Sequence, residues 1–404
     1  MGKTATVHAI SLNESVQLHT IGMVCRRKRD WREKEGHSLS SCANLYNLKH
    51  INANKCIMAG FVAVHTGAGN CVNETKYKKI CKESCLLGTS ILKSGGTALE
   101  ACEAAIVALE NCGYTNAGYG SNLTWDGRIE CEASIMDGAT RQFGACTNLS
   151  RVKNPIRLAR ILCERQSKLL SMDRIPPMIL CGDGAVKYAQ EINLPLVNEE
   201  DMISNKARKT YDHYRQNIEQ YENTFNVKVT PLDTVGAVVV DSLGNCVAGC
   251  SSGGLILKLS GRIGQAACYG AGCWASKEKN KSIATCTTGN GEYLMRTLLA
   301  REIVTNLKND QCSILSLHKT FKNDFLESPF LKHLDEVYGG ALTLVYDAEN
   351  GDGELLWSHT TQSFCIGHMS TKQKSPRFVF STLPESKKQG KSIMVQGQHF
   401  KVPI

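Results

Sequence analysis

The chain has no run of 18 apolar residues, which argues against a conventional transmembrane helix. Its first residues lack the continuous apolar core of a secretory leader, so the expected location is the cytoplasm and nucleus, with no membrane attachment. It has no pair of C-x-x-C motifs and no tight Cys/His cluster, so no metal site is expected from that source. No nucleic-acid-binding motif stands out, and direct contact with nucleic acid is not expected. Cysteine, in contrast, is abundant: 19 residues, an odd number. In a reducing compartment such thiols pack as small hydrophobes rather than pairing as disulfides. Cys81 and Cys85 lie one helical turn apart, and packing is the expected role for them too.

At 404 residues the chain can bury a large core, as two domains or as one large one. Hydrophobic residues make up 42% and charged residues 21%, an ordinary balance for a globular protein. The net charge of +9 fits either a solvated basic surface or an attraction for acidic partners. The one compact basic run, Arg26-Arg27-Lys28-Arg29, resembles a nuclear import signal. Met1-Gly2-Lys3-Thr4-Ala5-Thr6 meets the loose myristoylation pattern, which is short enough to arise often by chance.

Residues 1–56 are polar, without sustained periodicity, and read as a partly disordered extension. Order is expected from 58–65, a buried strand entering the loop Gly67-Ala68-Gly69. A helix is expected over 75–93. Thr97-Ala98-Leu99-Glu100 has the pattern of a capping box and opens another, to about Leu109. Trp125-Asp126-Gly127-Arg128 reads as a turn before a strand at 129–136, and Asn154-Pro155 opens a helix to about Cys163. From about 194 to 233 charges and amides dominate, and the segment reads as a linker or mobile arm. A helix is expected over 291–307, with Leu294, Leu298, Leu299, Ile303 and Leu307 on one face, followed by strands at 341–346 and 355–358. Strands and helices alternate in both halves, the pattern of an α/β fold with helix-covered sheets.

The most informative stretch follows the arm. Leu232-Asp233-Thr234 runs into Val235-Gly236-Ala237-Val238-Val239-Val240, turns at Ser242-Leu243-Gly244-Asn245 and returns through Cys246-Val247-Ala248-Gly249-Cys250. Cutting the chain before Thr234 would give that residue a hydroxyl nucleophile and, on the same atom framework, an α-amine base. The amine's reference pKa of about 7.7–8.0 is well matched to neutral pH. Gly249-x-Ser251-x-Gly253 fits a nucleophile elbow on paper, but an elbow needs a helix directly after its serine, and Gly253-Gly254 argues against one.

Over roughly 57–370 a set of motifs in fixed order resembles the type 2 asparaginase family of N-terminal nucleophile hydrolases, with the threonine-aspartase (taspase) branch most similar. The motifs are His65-Thr66-Gly67-Ala68-Gly69, Thr115-Asn116-Ala117-Gly118-Tyr119-Gly120-Ser121, Ile135-Met136-Asp137-Gly138, Asp233-Thr234-Val235-Gly236-Ala237-Val238, Ser252-Gly253-Gly254, Gly261-Arg262-Ile263-Gly264, Gly289-Asn290-Gly291-Glu292 and Trp357-Ser358-His359-Thr360-Thr361. The resemblance implies a four-layer αββα sandwich. It also implies self-cleavage between Asp233 and Thr234 into an α subunit, 57–233, and a β subunit, 234–404, with αβ units pairing as a homodimer.

The resemblance also assigns roles. Thr234 is the nucleophile, and the Ser252 hydroxyl lies beside it as a relay. Arg262 is the carboxylate anchor, its planar fork suited to a bidentate pair. Asn290 and Gly291 form the oxyanion site before a helix. Asn116 is an orienting donor, and the loop at about 109–119 is a carbonyl site for a structural sodium ion, with no other cofactor. Gln265 stands where asparaginases usually carry an Asp that pairs with the substrate's α-ammonium. That replacement, with Asp rather than Gly before Thr234, points to an endopeptidase that cuts after aspartate in protein substrates, expected to be nuclear transcription regulators. An L-asparaginase or isoaspartyl peptidase acting on small substrates is the alternative, and an uncleaved interaction protein with a dead site is a third reading.

Overall fold

The computed structural model describes residues 58–70, 73–221 and 234–402. The extension at 1–56, the basic run Arg26-Arg27-Lys28-Arg29, the pattern Met1-Gly2-Lys3-Thr4-Ala5-Thr6 and Asp233 lie outside the described residues.

In chain order the elements are β1 (Phe61–Gly69), α1 (Glu74–Lys93), α2 (Ala98–Glu110), β2 (Cys131–Asp137), β3 (Phe143–Leu149), α3 (Pro155–Arg165), β4 (Ile179–Cys181), α4 (Gly182–Glu191) and α5 (Asn205–Tyr221). They continue with β5 (Val235–Val240), β6 (Cys246–Ser252), β7 (Cys273–Glu278), β8 (Lys281–Gly289), α6 (Gly291–Thr297), α7 (Leu299–Asn309), α8 (Ser313–Thr320), β9 (Gly339–Asp347), β10 (Asp352–His359), β11 (Ser363–Ser370), β12 (Arg377–Thr382) and β13 (Met394–Lys401). The strands form two sheets, one ordered β12-β11-β1-β5-β6-β2-β3-β4 and the other β13-β10-β9-β8-β7.

The expected αββα sandwich follows from how side chains alternate. In β1, Val62 and Val64 face the helices α1 and α2, whereas Phe61 and Ala63 face the opposite sheet. In β5, Val235, Ala237 and Val239 join the helix side, and Val238 and Val240 the inter-sheet core. Both faces are buried, so β5 reads as an unbroken apolar run rather than an alternating one. Trp357 and Leu342 of the second sheet close the inter-sheet core, and α7 and α8 cover that sheet's outer face through Ile303, Val304 and Leu317. Cys81 and Cys85 are buried on α1, with Cys81 packed against Gly367 of β11.

Most local expectations hold. Thr97 and Glu100 close a capping box on α2, and Gly127 N–H bonds to Thr124 O in the turn before β2. Two do not. The helix expected over 291–307 breaks at Leu298, which takes a left-handed conformation (φ 47°) between α6 and α7. Leu298 is also the exposed member of the apolar series, while Leu294, Leu299, Ile303 and Leu307 are buried. Correct spacing does not reveal a turn of the axis. The expected arm from about 194 to 233 instead forms α5 over most of its described length. Few apolar residues hold it. Lys206 Nζ bonds to Tyr114 O at 2.8 Å, Tyr211 Oη and Arg215 Nη1 both reach Trp125 O at 3.2 Å, and the Arg215 guanidinium lies 3.9 Å from the Trp125 ring centre. Cation–π and carbonyl contacts of this kind leave no apolar period in the sequence.

Candidate active site

The hairpin register builds the centre of the site. Val235 of β5 pairs with Ser251 of β6, so Thr234, one residue earlier, stands opposite Ser252. Thr234 is buried, and its Oγ1–H donates to Ser252 Oγ at 3.1 Å. Ser252 Oγ also accepts Gly254 N–H at 3.0 Å. Its own proton is left to turn elsewhere, as a relay requires.

Gln265 arrives from the loop after β6. Its Nε2–H donates to Thr234 Oγ1 at 2.8 Å. It therefore touches Thr234, the expected nucleophile, where the sequence had placed it on the substrate's main chain. A donor to Oγ1 favours the negative charge that grows there as the proton leaves. Glu132 of β2, buried and absent from the sequence expectation, holds this loop by accepting Gly264 N–H at 2.7 Å and Ala266 N–H at 3.3 Å.

Arg262 lies beside this pair. Its Nε and Nη2 clasp Glu292 of α6 at 2.9 and 2.7 Å. Burial pushes the Glu292 carboxyl up, the Arg262 contacts pull it down, and its pKa ends below the ordinary carboxylate value. A methyl group placed on Gly291 would fall 2.8 Å from Arg262 Nη2 and 2.8 Å from Gln265 Oε1, which puts Gly291 against both. Asn290 caps α6, its Oδ1 accepting Glu292 N–H at 3.1 Å. Its Oδ1 thus serves the helix end, and its Nδ2 keeps the donors that the oxyanion role implied by the resemblance calls on. Asn116 is a donor as expected, but to Gly254 O at 2.8 Å, so it orders the glycine loop and not Thr234 directly.

The loop at about 109–119 has its carbonyls engaged both from within and from distant parts of the chain. Thr115 Oγ1 donates to Leu109 O at 2.6 Å and Cys112 O at 2.9 Å, and Lys206 Nζ, Gly253 N and Gly120 N occupy the carbonyls of Tyr114, Asn116 and Ala117. Each of these carbonyls already accepts at least one hydrogen bond, and the sodium ion implied by the resemblance would take a second lone pair.

Two buried titratable groups flank the centre. His65 of β1 is fully buried, and that burial takes its pKa down to about 3, against a slight opposing pull from the Thr234 backbone nearby. The ring is therefore neutral at working pH. Gly236 has no side chain because one would collide with His65 Nε2 and Cys286 Sγ. Behind β6, the Glu110 carboxyl accepts Ser251 Oγ–H at 2.7 Å and Ile156 N–H at 3.0 Å, and its Oε2 has no partner among the described residues. Burial pushes its pKa up to about 7. A carboxyl whose folded pKa exceeds its unfolded one favours folding fully below the unfolded value and loses that contribution as pH rises through the folded one. Glu110→Gln should therefore gain stability relative to the parent between about pH 4.5 and 7, by roughly 3 kcal/mol, and hold the gain above that. Urea unfolding at pH 5 and pH 8 measures it, and a pH-independent difference would refute the buried charge.

Comparison with known proteins places this geometry. The family model for asparaginase, type 2, matches residues 58–376. The chain belongs to the type 2 asparaginase family. It is 33% identical over 313 residues to a human protein named isoaspartyl peptidase/L-asparaginase, covering 75% of this chain and 92% of that one. It is 36% identical over 253 residues to the Xenopus laevis protein of the same name, covering 62% and 77%. It is 34% identical over 255 residues to a Salmonella typhimurium isoaspartyl peptidase, covering 60% and 77%.

The family's members are hydrolases, and that part of the sequence expectation stands. The expectation of an endopeptidase cutting after aspartate in nuclear regulators is overturned by these relatives, whose names match the alternative. The physical argument for it also weakens. Gln265 was read as excluding a charged partner for a free amino acid, yet Gln265 faces Thr234, and Glu292 supplies a carboxylate beside Arg262.

Proposed function

We propose that this family member is an N-terminal threonine hydrolase of small aspartyl substrates, an isoaspartyl peptidase/L-asparaginase. The observation that carries it is the Thr234 hydroxyl held between Ser252 and Gln265, next to a guanidinium–carboxylate pair. The free end of such a substrate is a zwitterion. Arg262 takes its α-carboxylate and Glu292 its α-ammonium, two opposite charges met by two opposite charges.

Maturation comes first. Thr234 Oγ1 attacks the Asp233 carbonyl carbon and gives up its proton to the departing nitrogen, so that the peptide C–N bond breaks as the ester forms and the Thr234 amine is freed. Water then hydrolyses the ester, releasing the Asp233 carboxylate and restoring the Thr234 hydroxyl. The amine then takes the Oγ1 proton as Oγ1 attacks the substrate's side-chain carbonyl. The collapsing tetrahedral intermediate releases ammonia, or the amine of the next residue, which leaves with that proton. An aspartyl ester on Thr234 remains, and water activated by the amine releases aspartate.

The test is turnover of L-asparagine and a β-aspartyl dipeptide by purified, self-cleaved protein, with an α-linked peptide containing an internal aspartate as comparison. The two small substrates should be hydrolysed. Cleavage of the α-linked peptide alone would overturn the proposal.

A further inference from the structure

Taking that function as given, we propose that Lys258 is a second anchor for the substrate's carboxylate, holding it jointly with Arg262 Nη1 beside Gly254. Lys258 lies on the loop after β6 and is only 6% exposed. Its Nζ donates to Glu130 O at 2.6 Å, and among the described residues it makes no ion pair. An ammonium has three donors, so two are uncommitted. Arg262 offers the matching feature: its Nε and Nη2 are spent on Glu292, and Nη1 is not.

These spare donors converge. A methyl group placed on Gly254 would lie 3.1 Å from Arg262 Nη1 and 3.2 Å from Lys258 Nζ. Gly254 is two residues beyond Ser252 and is fixed there, since its N–H goes to Ser252 Oγ and its carbonyl accepts from both Asn116 Nδ2 at 2.8 Å and Asn122 Nδ2 at 3.0 Å. Any side chain at 254 would fill the space that both cations face.

Burying an ammonium without a paired carboxylate is costly, and packing alone gives no reason for it. Burial draws the Lys258 pKa down, and the nearby Glu132 and Glu130 charges resist that only in part. A bound carboxylate removes the imbalance, one oxygen on Nη1 and the other on Nζ. Glu292 then need not leave Arg262 when substrate arrives. The substrate class that results is an acyl group carrying its own carboxylate, such as an asparagine or a β-linked aspartyl residue, in preference to a simple amide.

Lys258→Met keeps the length and apolar stem and removes the charge. In self-cleaved enzyme it should raise KM for L-asparagine and the inhibition constant of L-aspartate about tenfold to a hundredfold, the range for one charge-assisted hydrogen bond. The effect should fall on KM more than on kcat, and Lys258→Arg should restore part of it. Lys258→Gln gives the same comparison should the methionine variant not fold. Unchanged KM and L-aspartate affinity in a folded, uncharged variant would overturn the assignment. L-Aspartate binding by calorimetry reads Lys258 without turnover, so failure of this anchor and failure of the proposed activity are separable.

Discussion

Thr234→Ala should yield a single uncut chain with no measurable hydrolase activity. Both outcomes share one cause. In the proposed mechanism the hydroxyl that attacks the Asp233 carbonyl during maturation is the hydroxyl that attacks substrate afterwards, and the amine that serves as base exists only after the cut. Loss of a covalent nucleophile typically lowers kcat by about 10⁴-fold or more. No other hydroxyl takes over by default, since Ser252 accepts from Thr234 Oγ1 and lies opposite it on the next strand, without an α-amine of its own. Thr234→Ser keeps a hydroxyl and an amine and should keep a reduced share of both reactions. Intact-mass analysis and L-asparagine turnover read the two properties on the same sample. A Thr234→Ala protein that still splits at 233/234 would remove this residue from the mechanism.

Arg262→Ala should raise KM steeply, by about 30-fold or more. The side chain is 15% exposed and bonded at two points, and losing one partner of a buried, hydrogen-bonded charge pair costs about 2–5 kcal/mol, with tenfold for each ~1.4 kcal/mol. Part of any such loss comes from stranding Glu292 rather than from the substrate. Glu292→Gln separates the two, because it dissolves the ion pair while leaving the guanidinium in place. If Arg262 anchors the carboxylate, the alanine variant loses affinity for L-aspartate and also for acids that lack an amino group, such as succinate. Glu292→Gln should weaken L-aspartate and spare succinate. Equal losses for both ligands in both variants would reduce Arg262 to a structural partner of Glu292.

The hairpin could be read in advance because its information is local. A β-branched run, a turn with Gly244 and a return strand set the register, and the register alone sets Thr234 opposite Ser252. The layers were legible through the family resemblance and the strand–helix alternation. Contacts across long sequence separations were not. Glu132 reaches Gly264 across 132 residues, and Ser251 meets Glu110 across 141, so neither leaves a spacing signal. Gln265 was singled out for the substrate's main chain, and residue type alone did not disclose that the loop carrying it lays its amide on Thr234 Oγ1. Glu292 stood inside a quoted motif without a role, and only the position of Arg262 gives it one.

The order of strands in the larger sheet has a consequence for assembly. β1, from before the proposed cut, lies between β11 and β5, both from after it. Without β1 the later fragment retains two disconnected patches, β12-β11 and β5-β6, with bare edges facing each other. Neither fragment would hold the larger sheet complete, so on this proposal the two stay together as one folded object even once the covalent link is gone. On this proposal scission follows folding, since the sheet that β1 completes is what sets Thr234 opposite Ser252. The proposed cut then changes chemistry at one nitrogen atom of an architecture that is already finished.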